Sequence, residues 1–178
     1  MNEDNIIIWS KLSSLKWADF KAEPNSGSFE DAHSTIKYRY TWTVNSEKMG
    51  SQILFLIENL QVNVEFHSVL SWVRTSQSND QLLNHEQGHF DLAELVRREN
   101  EKKLQTKFYG KHYPTRGQNE EQRKQFAKDD SGKMIAAEIE TLEQYLSQRR
   151  EIYDTETNYG QNLDKQKQYD VIFDKLRL

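Results

Sequence analysis

The sequence predicts an α+β fold: a small antiparallel sheet over residues 1–75, then about three helices over 78–178. Three observations carry that reading. Apolar and polar residues alternate strictly in "STIKYRYTWTV". Helical spacing with a capping signal begins near residue 78. At 178 residues the chain has the length of one domain, able to bury a working core without staples.

In the first strand Ile36, Tyr38, Tyr40, Trp42 and Val44 share one face, and Lys37, Arg39, Thr41 and Thr43 the other. "SEKMGS" reads as a turn and "QILFLIENL" as the partner strand. "VNVEFHSVLSWV" alternates again, with Val62, Val64 and Phe66 inward and Asn63, Glu65 and His67 outward. "KAEPNSGSFEDAHS" is a loop, carrying Pro24 and Gly27.

The first helix runs from "SNDQ" to Gly110, with Leu82, Leu83, Phe90, Ala93, Val96, Leu104 and Phe108 as a broken apolar stripe. "KHYPTRGQ" is a break. "NEEQRKQFAKDDSGKMIAAEIETLEQYLSQRREIYD" is one long helix, or two interrupted near Asp130-Ser131-Gly132. "TETNYGQ" is a second break, and "NLDKQKQYDVIFDKLRL" a closing helix.

Composition bounds the chemistry. Net charge is -4, so nothing calls for nucleic acid or an anionic membrane surface. The absence of cysteine excludes disulfides, iron–sulfur clusters, thiolate zinc and a cysteine nucleophile. No run approaches 18 apolar residues, the length of a transmembrane helix. The start, "MNEDNIIIWS", has too short an apolar run for a signal peptide. Either the protein is not exported or the sequence begins after a removed signal.

The chemistry concentrates in "LLNHEQGHFDLAEL", residues 82–95, which falls inside the first helix. His85 and His89 are four apart, so both imidazoles reach one side of the helix and can share an ion. Glu86 is rotated about 100° from His85. It stands beside such an ion, where a carboxylate can take the proton of an activated water. With five histidines in the chain, the pattern arises by chance on the order of one time in a hundred. Gly88 within a helix costs about 1 kcal/mol against Ala, which indicates something packed close to the backbone there. Two imidazoles do not complete a zinc site, which generally has three protein ligands. The helix offers no third: position 95 is Leu95, and Glu94 points off the metal face. His67 and His112 read as surface residues. His33, Glu138, Glu140 and Glu143 stay open as donors from elsewhere.

The motif, with "SWV" (71–73), "LKWADF" (15–20) and "YDTETNYGQNLDKQKQYDVIFDKL" (153–176), resembles the bacterial domain-of-unknown-function family 922. That family is grouped with zinc-dependent proteases of the HExxH class. The resemblance runs from about residue 9 to the end. It implies a minimal zincin-like fold with the sheet packed on the active-site helix, zinc as cofactor, a peptide or protein substrate, and export from a bacterial cell. It assigns His85 and His89 as ligands and Glu86 as general base. Where the family carries His before the glycine of its closing segment, this chain has Tyr159 before Gly160. The resemblance thus implies Tyr159 at the metal, as third ligand or hydrogen-bonded to its water. The rival readings are a weak or inactive zincin-fold protein that binds a peptide or protein partner, and a helical interaction module in which HEQGH is accidental.

Overall fold

The computed structural model describes residues 5–178; the first four residues of "MNEDNIIIWS" lie outside it. The chain runs β1 (Ile6–Ile8), β2 (Ala32–His33), β3 (Ile36–Met49), β4 (Gln52–His67), β5 (Trp72–Val73), α1 (Asp80–Phe108), β6 (Tyr113–Pro114), α2 (Glu120–Thr157) and α3 (Leu163–Asp174). The main sheet is antiparallel: β4 is flanked by β3 on one side and by β1 and β6 on the other. β2 and β5 form a separate antiparallel pair. This is the expected small N-terminal sheet packed on the HExxH helix and followed by further helices.

Two strands expected in sequence are one. β4 runs unbroken through Gln52–His67, and β3 extends to Met49, so the hairpin closes on Gly50 and Ser51 alone. "SEKM" is therefore strand rather than turn. The sequence suggested a break because the apolar phase changes. Phe55 and Ile57 are buried at odd positions, Leu60, Val64 and Phe66 at even ones. A β-bulge absorbs the change: Thr41 pairs with Gln61 and Thr43 with Glu58, while Asn59 takes φ 52. Holding Asn59 there costs about 1–2 kcal/mol. Without the bulge Leu60, Val64 and Phe66 would face solvent at roughly 2 kcal/mol each, so the bulge prevails. On the opposite face Glu65, expected outward, is buried beside Arg39 and His67.

α1 begins where Asn79 caps it, its side chain accepting from the Leu82 N–H. Its middle is buried all round rather than along one stripe. Phe90 meets Phe66 of the sheet, while α2 and α3 pack on the remaining sides. That enclosure takes five polar side chains, His85, Glu86, His89, Asp91 and Glu94, out of solvent. Two have structural partners. Asp91 accepts from Trp9, Gln87 and Arg177, which ties both ends of the chain to the helix. Glu94 accepts from Arg97 and Arg98.

α2 is one 38-residue helix with no interruption at Gly132, whose missing Cβ lets the Trp42 ring approach; a Cβ would lie 3.3 Å from it. α2 also continues through "TET". It ends only at Asn158, in the left-handed region, whose N–H bonds back to Asp154 and Thr155. Tyr159 and Gly160 follow with φ 54 and φ 82. The break expected over "TETNYGQ" is present, but it begins three residues later, at Asn158 rather than Thr155. Asp154, the last residue of the expected helix, therefore lies inside α2, one turn before its end. Among the described residues no helix is long and apolar enough to cross a membrane.

Candidate metal centre

His85 and His89, one turn apart on α1, both direct Nε2 at the Asp154 carboxylate of α2. The distances to Asp154 Oδ1 are 3.1 Å and 3.0 Å. All three side chains are shielded, and one donor atom from each lies within 4.8 Å of the others. Ligand atoms around a tetrahedral zinc at ~2.0–2.1 Å stand roughly 3.3 Å apart, close to the two distances from the imidazoles to Asp154.

A hydrogen-bond circuit fixes the His85 ring. Its Nδ1–H donates to Gln166 Oε1 at 3.2 Å. Gln166 Nε2 donates to the Tyr153 hydroxyl at 2.8 Å and to Asp170 at 2.9 Å, and the Tyr153 hydroxyl donates back to the His85 carbonyl at 3.1 Å. Tyr153 also stacks on the imidazole, centroids 4.7 Å apart and planes 8° apart. With the proton on Nδ1, His85 Nε2 presents a lone pair to a carboxylate oxygen. Two acceptors at 3.1 Å repel unless a cation lies between them: without a metal that cation is the proton of a hydrogen bond to Asp154, and a bound metal takes its place. His89 lacks such support: its Nδ1 is buried with no partner among the described residues.

The charges agree with this arrangement. Burial, aided by the Arg150 charge, drives the His89 imidazole down to about 3, against the hydrogen bond to Asp154, so it is neutral at physiological pH. Burial would raise Asp154, but its hydrogen bonds to His85 and His89 outweigh that and hold it below the usual carboxylate range. A neutral imidazole and an ionised carboxylate are the ligand forms a divalent metal needs.

Glu86 stands apart from the three. It is buried, and burial pushes its carboxyl up against the opposing pull of His85, Ser34 and Arg150. Ser34 Oγ donates to Oε2 at 2.5 Å, and Arg150 Nη1 holds the Ser34 carbonyl at 2.8 Å. Arg150 is one turn before Asp154 on α2, so that helix supplies both a metal donor and the pin for Ser34. One oxygen of Glu86 is thereby fixed, and Oε1 has no protein partner among the described residues.

The packing contact inferred from Gly88 is Tyr153, whose hydroxyl would lie 2.0 Å from a Cβ there. A Cβ on Gly160 would come within 2.7 Å of His85 Cβ, so the turn after α2 closes directly over that ligand.

The other candidates are dispersed. His33 pairs with Glu30 and stacks on Trp72; His112 pairs with Glu47. Glu138 pairs with Lys107 and precedes Asp154 by about 24 Å of helix. Glu140 and Glu143 lie on that same distant stretch, both exposed. Tyr159, the residue expected at the third corner, lines a cavity of about 350 Å³ with His85, Glu86 and His89, its ring against Phe29. The third carboxylate or imidazole donor that the structure brings to the histidines is Asp154. Asp154 stands in "YDTETNYG", where the sequence alone gives it no role.

Compared with known proteins, the chain matches no family model, no curated protein and no solved structure. The His-Glu-x-x-His…Asp constellation is consistent with a zincin-like metal site, and it is defined here by its own geometry.

Proposed function

We propose that this chain is a zinc-dependent peptidase in which His85, His89 and Asp154 hold the metal and Glu86 is the general base. The observation that carries the reading is the convergence of two buried imidazoles and a largely shielded carboxylate beside a separately anchored glutamate. Bound zinc supplies a Lewis acid for the scissile carbonyl and lowers the pKa of a water to about 7. Glu86 receives the proton as the peptide carbon is attacked and delivers it to the leaving amine. Ser34 holds one carboxylate oxygen, so the proton is carried on Oε1. Tyr159 serves the substrate side of the cavity, Asp154 completing the donor set in its place.

A peptidase is favoured over a partner-binding zincin fold because the loss of a histidine before Gly160 leaves no gap in the donor set. The motif resemblance to family 922 supports the same class, and with it a bacterial protein working outside the cytoplasm. Zinc-loaded protein is expected to cleave a peptide library, with cleavage lost on chelation and restored by zinc. Glu86→Gln should lose at least about 100-fold of the rate while binding zinc as before. Cleavage that survives in that variant would remove Glu86 as base.

A further inference from the structure

Two aromatic side chains stand at the mouth of the metal cavity, and neither is there to fill the core. Phe29 is 77% exposed, with its ring edge-on to Tyr159 at 5.2 Å. Its position is not that of a slack loop. The Arg74 guanidinium donates to the carbonyls of Ser28 at 2.6 Å, Asn25 at 3.1 Å and Glu30, and so clamps the backbone on both sides of Phe29. Tyr159 sits at φ 54, in the left-handed region that a bulky side chain rarely adopts. Its neighbours Asn158 and Gly160 are the residue types suited to that region; Tyr159 is not. Such conformations persist where function holds them, and here the result is a ring presented beside His85 and Glu86.

The chemistry of the mouth selects among occupants. Leu82 and Ala32 add apolar wall to the two rings. Of the acids on the rim, Asp31 faces the Arg74 guanidinium at 3.5 Å and Glu30 is hydrogen-bonded to His33, so both carboxylates already have partners within the chain. A large flat apolar group stacks on such an aromatic pair at reduced cost in ordering, since the backbone that carries Phe29 is already clamped and its ring rests edge-on to Tyr159.

Resting on the peptidase reading, we propose that Phe29 and Tyr159 form the subsite that determines specificity, taking an aromatic or large aliphatic side chain of the peptide next to the scissile bond.

Two metal-directed probes test this on the zinc-loaded protein by calorimetry: acetohydroxamic acid, and 3-phenylpropanohydroxamic acid, which adds a phenyl arm. The phenyl probe should bind at least about tenfold more tightly. Phe29→Ala and Tyr159→Gly should each reduce that preference to under about threefold while zinc content stays at the wild-type level. Tyr159→Gly should also leave Tm undiminished, because glycine relaxes the φ 54 backbone, so misfolding does not account for the loss. Equal affinity of the two probes for the wild type, or a preference that survives both variants, overturns the subsite. Failure to load zinc or to bind acetohydroxamic acid overturns the metal reading instead, and the subsite with it.

Discussion

Adding one methyl group at Gly88 should damage the metal centre without touching a ligand. The Cβ of Gly88→Ala would lie 2.0 Å from Tyr153 Oη and 2.8 Å from Cζ, and neither contact is tenable. Tyr153 cannot simply retreat. It is fully buried, stacked on His85, and met edge-on by Tyr169 and Phe173. Overpacking of this kind costs about 1–3 kcal/mol. Breaking the hydroxyl's bonds to the His85 carbonyl and Gln166 adds about 1 kcal/mol each. Better helix propensity returns about 1 kcal/mol. The net loss is about 2–4 kcal/mol, or a fall in Tm of roughly 5–15 °C. Urea unfolding of the metal-free protein measures it, and a competitive zinc titration should show weaker binding as the His85 ring shifts. Tyr153→Phe in the same chain removes the nearest clashing atom and should recover part of the loss. If Gly88→Ala is as stable as the parent and binds zinc equally well, the close packing of Tyr153 over His85 is wrong.

Gln166→Leu removes the acceptor that keeps the His85 proton on Nδ1, and zinc affinity should fall about 10–100-fold by competitive titration with the helical circular dichroism unchanged. Asp154→Asn exchanges a charged donor for a neutral one and should weaken zinc at least as much; an unchanged affinity would put the third ligand elsewhere. Asn59→Gly relaxes the bulge and should hold or raise stability by up to about 1 kcal/mol, whereas Asn59→Val should lower it by about 1–2 kcal/mol in urea unfolding.

The motif and its helix were legible because periodicity and local capping carry them. Asn79, Gly110 and the i, i+4 histidines all act within one helix, and alternation in residues 36–44 survived into β3. What was hidden depends on tertiary compensation. The phase change after Ile57 looked like a strand end because a bulge is cheap only when both halves of the strand bury apolar side chains, which is a tertiary fact. Asp154 was hidden because nothing local shows which face of α2 meets α1: the sequence puts it at the end of a helix, and only the packing of the two helices brings it to His85 and His89. A further signal was present in "YDTET": an acid beside a tyrosine, one turn before the helix ends, opposite a histidine pair that lacked a donor. Gly88 was legible as a close approach but not as one to Tyr153, and Gly160 was legible as a turn residue but not as an approach to His85.

The ligand set itself is best read from an anomalous-difference map of zinc-soaked crystals, recorded on both sides of the zinc edge. One strong peak is expected, bounded by Nε2 of His85, Nε2 of His89 and the Asp154 carboxylate, with Glu86 close by but off the metal. A chain that takes up no zinc there, or a peak that draws the Tyr159 oxygen in place of Asp154, would contradict it.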